Sequence, residues 1–254
     1  MNNIYKLKTY IAKLLTCWIL KKSWRKNVRN FLLYFSIIDY FKFKNQPYKI
    51  VSLGRDCLPR VLMTAIKLKP RKVYGEKTCP FDLCINNNFN RIAELIQNDF
   101  SDFFDDLKFT NGEWVNNDFI FIHDKNLSYK IFEKRYKNRI NNFLKLLKSN
   151  KKLYFIYSNF TENLPNVHDL NKLFDVIKEK RNKKPFQIIL LISNYIEGLN
   201  PRIIQIIDDI KIKDSDWVKR IMSNCQNDKY TEFKNIIEKK ILKYFNNSTL
   251  DKTL

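Results

Sequence analysis

Glycine occurs only four times in 254 residues. That is too few for a glycine-rich loop cradling nucleotide phosphates, a collagen-like repeat or a turn-dense β-sandwich. Histidine occurs twice, so acid–base chemistry near neutral pH has only His123 and His168 to draw on. A membrane-crossing helix needs roughly 18–20 uninterrupted apolar residues. The first apolar stretch is broken by Lys6, Lys8 and Lys13, and no small-residue cleavage site follows it, so neither a membrane span nor a cleaved secretory signal is expected. The five cysteines (Cys17, Cys57, Cys79, Cys84 and Cys225) are odd in number and irregularly spaced. They read as free thiols of a cytoplasmic protein rather than a disulfide framework. Acidic residues are also scarce, 26 against 47 Lys and Arg, for a formal net charge of +21.

Against these shortages stand a hydrophobic content of 44% and an aromatic content of 15%, ample for a core and inconsistent with a wholly disordered chain. The charge is uneven. Residues 1–47 hold ten basic groups and a single acid, Asp39. Within them Ile4, Leu7, Ile11, Leu14, Leu15 and Trp18 recur at the period of one helical face. Two readings stay open. A basic amphipathic helix with Trp18 and Trp24 near its ends suits an anionic membrane surface. The same pattern suits helices packed on the rest of the protein with their lysines solvated. Either way, 1–47 forms a basic helical extension and 48–254 a separate α/β domain.

From residue 48 strand-like and helix-like segments alternate. Tyr48–Gly54 reads as a buried strand, and Arg55–Lys67 as a helix. Residues 68–88 are turn-like, and Asn90–Ile96 is helical. Asp118–His123 reads as a second strand, 129–148 as a strongly basic helix, and Lys152–Ser158 as a third strand. Asp169–Lys180 is helical, Phe186–Ser193 is a fourth strand, and a charged helix runs from Asp228 to Phe245. Nearly continuous apolar runs such as the last two strands are expected where both faces are covered. The alternation predicts an α/β three-layer sandwich around a mainly parallel sheet.

Cys57 follows a strand and a glycine turn at the start of a helix, where unpaired N–H groups and the helix dipole favour a thiolate. Two backbone amides there are also placed to hold an oxyanion. The alternative is an ordinary buried cysteine. His123 ends a strand beside Asp124, whereas His168, beside Asp169 at a helix start, suits a cap. Cys79 and Cys84 lack a second pair or a histidine at ligand spacing, so no metal site is expected. Asp82 suits either an Asx turn or the support of a catalytic group. Arg135 and Arg139 share a helix face and fit either an anionic substrate group or open solvent.

Five blocks carry a resemblance: Val51-Ser-Leu-Gly-Arg-Asp-Cys57, Cys79-Pro-Phe-Asp-Leu83, Asn98-Asp-Phe-Ser-Asp-Phe103, Phe121-Ile-His-Asp124 and Lys134-Arg-Tyr-Lys-Asn-Arg139. In this order, over about residues 48–195, they resemble a bacterial family catalogued as papain-like cysteine peptidases. The chain departs from that family at Leu83, where tryptophan is usual. The resemblance implies Cys57 as nucleophile, His123 as its base, and Asp82 or Asp124 as the group orienting the imidazole. Arg55, Phe81, Arg135 and Arg139 are assigned to substrate binding. The strand before Cys57 and the alternation after it favour a three-layer α/β architecture over a papain-like one. There Cys57, His123 and the Ser158-Asn159 strand end would meet at the carboxyl edge of the sheet.

Three function classes follow. The first is a cysteine-dependent hydrolase or acyltransferase acting without metal or cofactor on a peptide, ester or other acyl substrate. The second is a non-catalytic or glycan-biosynthesis accessory protein, peripheral to the cytoplasmic membrane face through residues 1–47. The third, a nucleic-acid binder, has only the charge and scattered aromatics behind it, since no recognised nucleic-acid-binding signature is present.

Overall fold

The computed structural model describes residues 3–86, 88–160, 165–208, 221 and 229–247. Two compact units are distinguished, 1–46 with 69–77, and 47–68 with 78–254. The smaller contains helices α1 (Asn3–Leu14), α2 (Lys22–Tyr34) and α3 (Ile37–Lys44), with a 3₁₀ turn at Lys72–Tyr74. The Tyr74 hydroxyl holds this turn in place. It accepts the Ser36 N–H at 3.0 Å and donates to the Tyr34 carbonyl at 2.8 Å.

The larger unit begins with β1 (Tyr48–Ser52), α4 (Leu58–Ala65), β2 (Ile85–Asn86) and α5 (Phe89–Gln97). Three short strands follow, β3 (Lys108–Thr110), β4 (Glu113–Val115) and β5 (Phe119–Ile120). The chain continues through α6 (Tyr129–Lys148), β6 (Lys152–Asn159), α7 (Val167–Arg181), β7 (Phe186–Ile192) and β8 (Ile203–Ile207), and the last described helix is α8 (Lys229–Asn247). Four strands pair in parallel, in the order β1-β6-β7-β8.

Alternation along each strand divides the interior in two. Val51, Leu153, Phe155, Tyr157, Ile188 and Leu190 face one core, which α5, α6 and α7 complete. Ile50, Tyr154, Ile156, Ile189 and Leu191 face the other, completed by α4 and α8. The result is the expected three-layer α/β sandwich. Each fully buried Leu, Ile or Phe contributes about 1.5–3 kcal/mol, which explains why β6 and β7 read as unbroken apolar runs.

One strand is placed differently from its sequence reading. Asp118–His123 does not enter the parallel sheet. Only Phe119–Ile120 is extended, in an antiparallel sheet ordered β2-β5-β4-β3, and His123 lies in the turn beyond it. The cause is the Asn111-Gly112 turn, with φ of +52° and +80°. Two left-handed residues close a tight hairpin between β3 and β4, and that hairpin takes β5 as its next strand.

Candidate functional site

The site is built around the exit of β1. The Ser52 hydroxyl accepts the Gly54 N–H at 3.2 Å. Gly54 (φ +90°) and Arg55 (φ +60°) are both left-handed and turn the chain sharply into α4. A Cβ on Gly54 would meet its nearest neighbours, the Phe81 carbonyl and Cβ, at an ordinary 3.6–3.7 Å. The glycine therefore answers the backbone conformation rather than a lack of space. Cys57 is the N-cap residue of α4, and Pro59 follows in the first turn.

The Pro80-Phe81-Asp82 block wraps this turn. Arg60, one helical turn beyond Cys57, forms an ion pair with the buried Asp82, whose Oδ2 also accepts the Cys79 N–H at 2.7 Å. Asn86 donates its N–H to the Arg55 carbonyl at 3.0 Å. Phe81 is fully buried against Phe100, Phe119 and Phe143, so its ring shapes the loop from inside. Two polar side-chain atoms, Asn86 Nδ2 beside this turn and Ser158 Oγ near the carboxyl end of β6, are buried without a hydrogen-bond partner among the described residues.

Electrostatics at Cys57 reverse the helix-terminus expectation. Burial, reinforced by the neighbouring Asp56 carboxylate, pushes the thiol up to about 11. Asp56 is itself raised by burial. Its Oδ1 takes the Leu58 N–H at 2.7 Å, and Pro59 has no N–H. Two of the first three amides of α4 are thus withdrawn from the oxyanion cradle that the sequence suggested. The resting group is a neutral thiol that needs a base to become nucleophilic.

The other candidates form a second cluster. The carboxylate of buried Asp124 binds α6 from below. Oδ1 pairs with Arg135, while Oδ2 accepts from Arg139 Nη1 at 2.9 Å and from the Tyr136 hydroxyl at 3.0 Å. Arg139 is buried and lies 4.5 Å from the Tyr136 ring centre. These two arginines therefore already hold an anion, the protein's own. His123 is exposed, and no hydrogen bond or ion pair reaches it among the described residues. Both carboxylates expected to orient it are engaged elsewhere, Asp82 by Arg60 and Asp124 by α6. No hydrogen bond joins Cys57 Sγ to either histidine among the described residues. His168 sits exposed at the first turn of α7, its N–H accepted by the cap residue Asn166 at 2.8 Å.

Sequence reasoning missed Arg60, Asp56 and Tyr136. Arg60 was findable, three positions after Cys57 on a helix and hence on the same face. Tyr136 shares the α6 face of Arg135 and Arg139. Asp56 acts through burial, which no local spacing reveals. Cys17, Cys57, Cys79 and Cys84 form no disulfide among the described residues, and the last three are buried; Cys225 and the sequence-predicted start of the last helix lie outside the described residues.

Residues 48–114 match a family described as "Putative papain-like cysteine peptidase". The matched span contains Cys57, Phe81 and Asp82 and ends before His123. No curated protein and no solved structure matches the chain.

Proposed function

We propose that the larger unit is a thiol-dependent hydrolase or acyltransferase with Cys57 as nucleophile and His123 as general base. The supporting observation is the turn that presents Cys57, where two consecutive left-handed residues at the end of a parallel strand deliver the side chain to the start of a helix. Such sharp strand-to-helix turns place a nucleophile at the carboxyl edge of a sheet, where substrates reach it. In the proposed reaction His123 takes the Sγ proton as sulfur attacks the carbonyl carbon of a peptide or ester. The same imidazole returns the proton to the leaving group. Water, or an acceptor nucleophile, then cleaves the thioester with His123 again as base. The His123 side chain is exposed and makes no hydrogen bond among the described residues, so its approach to Sγ on substrate binding breaks none of those described. Asn86 Nδ2 offers a buried donor for the substrate or its oxyanion.

The test uses Cys17, an exposed thiol in the same chain, as an internal reference, with each site read by peptide mass spectrometry. Plain iodoacetamide should label Cys17 first. At pH 7 a thiol titrating near 11 has a thiolate fraction on the order of 10⁻⁴. Cys57 alkylation should therefore climb about tenfold per pH unit up to about pH 11. An acyl-donor ester probe should reverse the order at neutral pH, acylating Cys57 in preference to Cys17. That preference should vanish in His123→Ala while the fold is kept. Acylation of Cys57 that is indifferent to His123, or confined to Cys17, overturns the pair.

A further inference from the structure

The first two helices of the smaller unit are built inside out. Among the described side chains of α1 the half-buried and buried positions are Thr9, Ala12 and, just past the helix, Thr16, a small and mostly polar stripe. Leu7, Ile11, Leu14 and Trp18, which lie together on the opposite face at helical spacing, are all exposed, Trp18 at 75%. The next helix repeats the inversion. Arg25 and Arg29 are half-buried, and they donate to the Ile19 carbonyl at 2.8 Å and the Thr16 hydroxyl at 3.2 Å. Trp24, Val28 and Phe31 face outward, and α2 buries no residue at all. α3 adds Ile37, Ile38 and Phe41 to the exposed set. Sixteen of the twenty-two exposed large apolar side chains among the described residues lie between Leu7 and Phe41.

A surface of this kind marks a contact with another phase or molecule, and charge selects which. The unit holds fourteen Lys and Arg against two acids, Asp39 and Glu76. Like charge opposes a second copy of the same face. An anionic bilayer surface accepts both components, with apolar side chains entering the acyl boundary and lysines reaching back to the headgroups. The indole N–H of Trp18 is prepared for such burial, since it already donates to the Leu15 carbonyl at 2.8 Å. No described helix is long and apolar enough to cross a membrane, so the mode is lateral. We propose that α1, α2 and α3 form a docking surface for an anionic phospholipid bilayer.

Flotation of the full-length chain with lipid vesicles tests this. In about 0.1 M salt, vesicles of phosphatidylcholine with about one-third phosphatidylglycerol should carry the protein up the gradient. Pure phosphatidylcholine vesicles should bind at least tenfold more weakly. The double variant Trp18→Glu, Trp24→Glu changes only exposed positions, so its circular dichroism should be unaltered while binding to anionic vesicles falls at least tenfold. The triple variant Lys21→Glu, Lys22→Glu, Lys26→Glu should lose the preference for anionic lipid. No binding to either vesicle overturns the proposal, as does equal binding to both. Unimpaired binding by the tryptophan variant overturns it as well. So does concentration-dependent self-association without lipid binding, which would assign the face to a second copy.

Discussion

Replacing Asp124 with alanine is expected to destabilise the protein by about 3–5 kcal/mol, the cost of removing one partner from a buried ion pair. Asp124 is 1% exposed and engages Arg135, Arg139 and the Tyr136 hydroxyl. Its loss leaves Arg139, 8% exposed, as a buried cation without its carboxylate, and Tyr136 as a buried donor without its acceptor. Part of that penalty comes from desolvation that is no longer repaid, so the whole loss exceeds the net worth of the contacts. Asp124→Asn should fall between wild type and alanine, because an amide still accepts from Tyr136 but offers Arg139 no charge. Urea denaturation measures both, with the slope checked for constancy. A loss below about 1 kcal/mol, the range of exposed pairs, would mean that the cluster is not structural. Asp124 would then be available to His123.

The second large effect is expected at Arg181. This side chain is fully buried and is held by backbone carbonyls: Nη1 donates to Leu146, Leu147 and Ser149, and Nη2 to Lys151 and Pro185, at 2.7–3.2 Å. The first two carbonyls belong to the last turn of α6, where helix carbonyls lack partners and the dipole favours a cation. Ser149 is the C-cap residue of the same helix, and Lys151 and Pro185 stand at the entries to β6 and β7. One guanidinium thus fastens a helix end to two strand starts. Burial lowers its pKa, yet a guanidinium stays charged at any ordinary pH. Arg181→Leu should cost about 3–5 kcal/mol, since several carbonyls lose a charged donor together in a dry site. Arg181→Lys should recover only part, because three donors on one nitrogen cannot serve five acceptors spread over a planar fork. Thermal unfolding of the two variants, compared with wild type, reads the difference.

The parts of the fold that depend on two-sided burial were legible in the sequence. β6, β7 and the long helix α6 stand where apolar runs and basic periodicity put them, because burial on both faces leaves no other composition. Asp118–His123 was misplaced because an alternating run looks the same in either sheet. The Asn111-Gly112 turn decided the matter, and it lies outside the run. The amphipathic period of α1 was plain, but a period says only that two faces differ and not which of them water meets. Residues 69–77 group with the first three helices, a long-range assignment that no local pattern carries. At the candidate site, the placement of Cys57 at the start of α4 was legible from Gly54 and the helical spacing after it. Its protonation state was misjudged because burial and Asp56 outweigh the terminal dipole, an effect worth only a few tenths to about 1 kcal/mol in exposed settings.

The uneven burial also sets how the chain breathes. Seven of the eight residues of β6 are buried, and the eighth is half-buried. In α2 none is buried, and α1 buries only Ala12 among its described side chains. Amide hydrogens exchange through local openings whose free energy runs from about zero up to the global stability. In lipid-free buffer the amides of α1 and α2 should therefore exchange orders of magnitude faster than those of β6 and β7, and independently of them. Held by so few buried contacts, the first two helices stay ordered largely through their own backbone hydrogen bonds. Among the described residues they open far more readily than the parallel sheet.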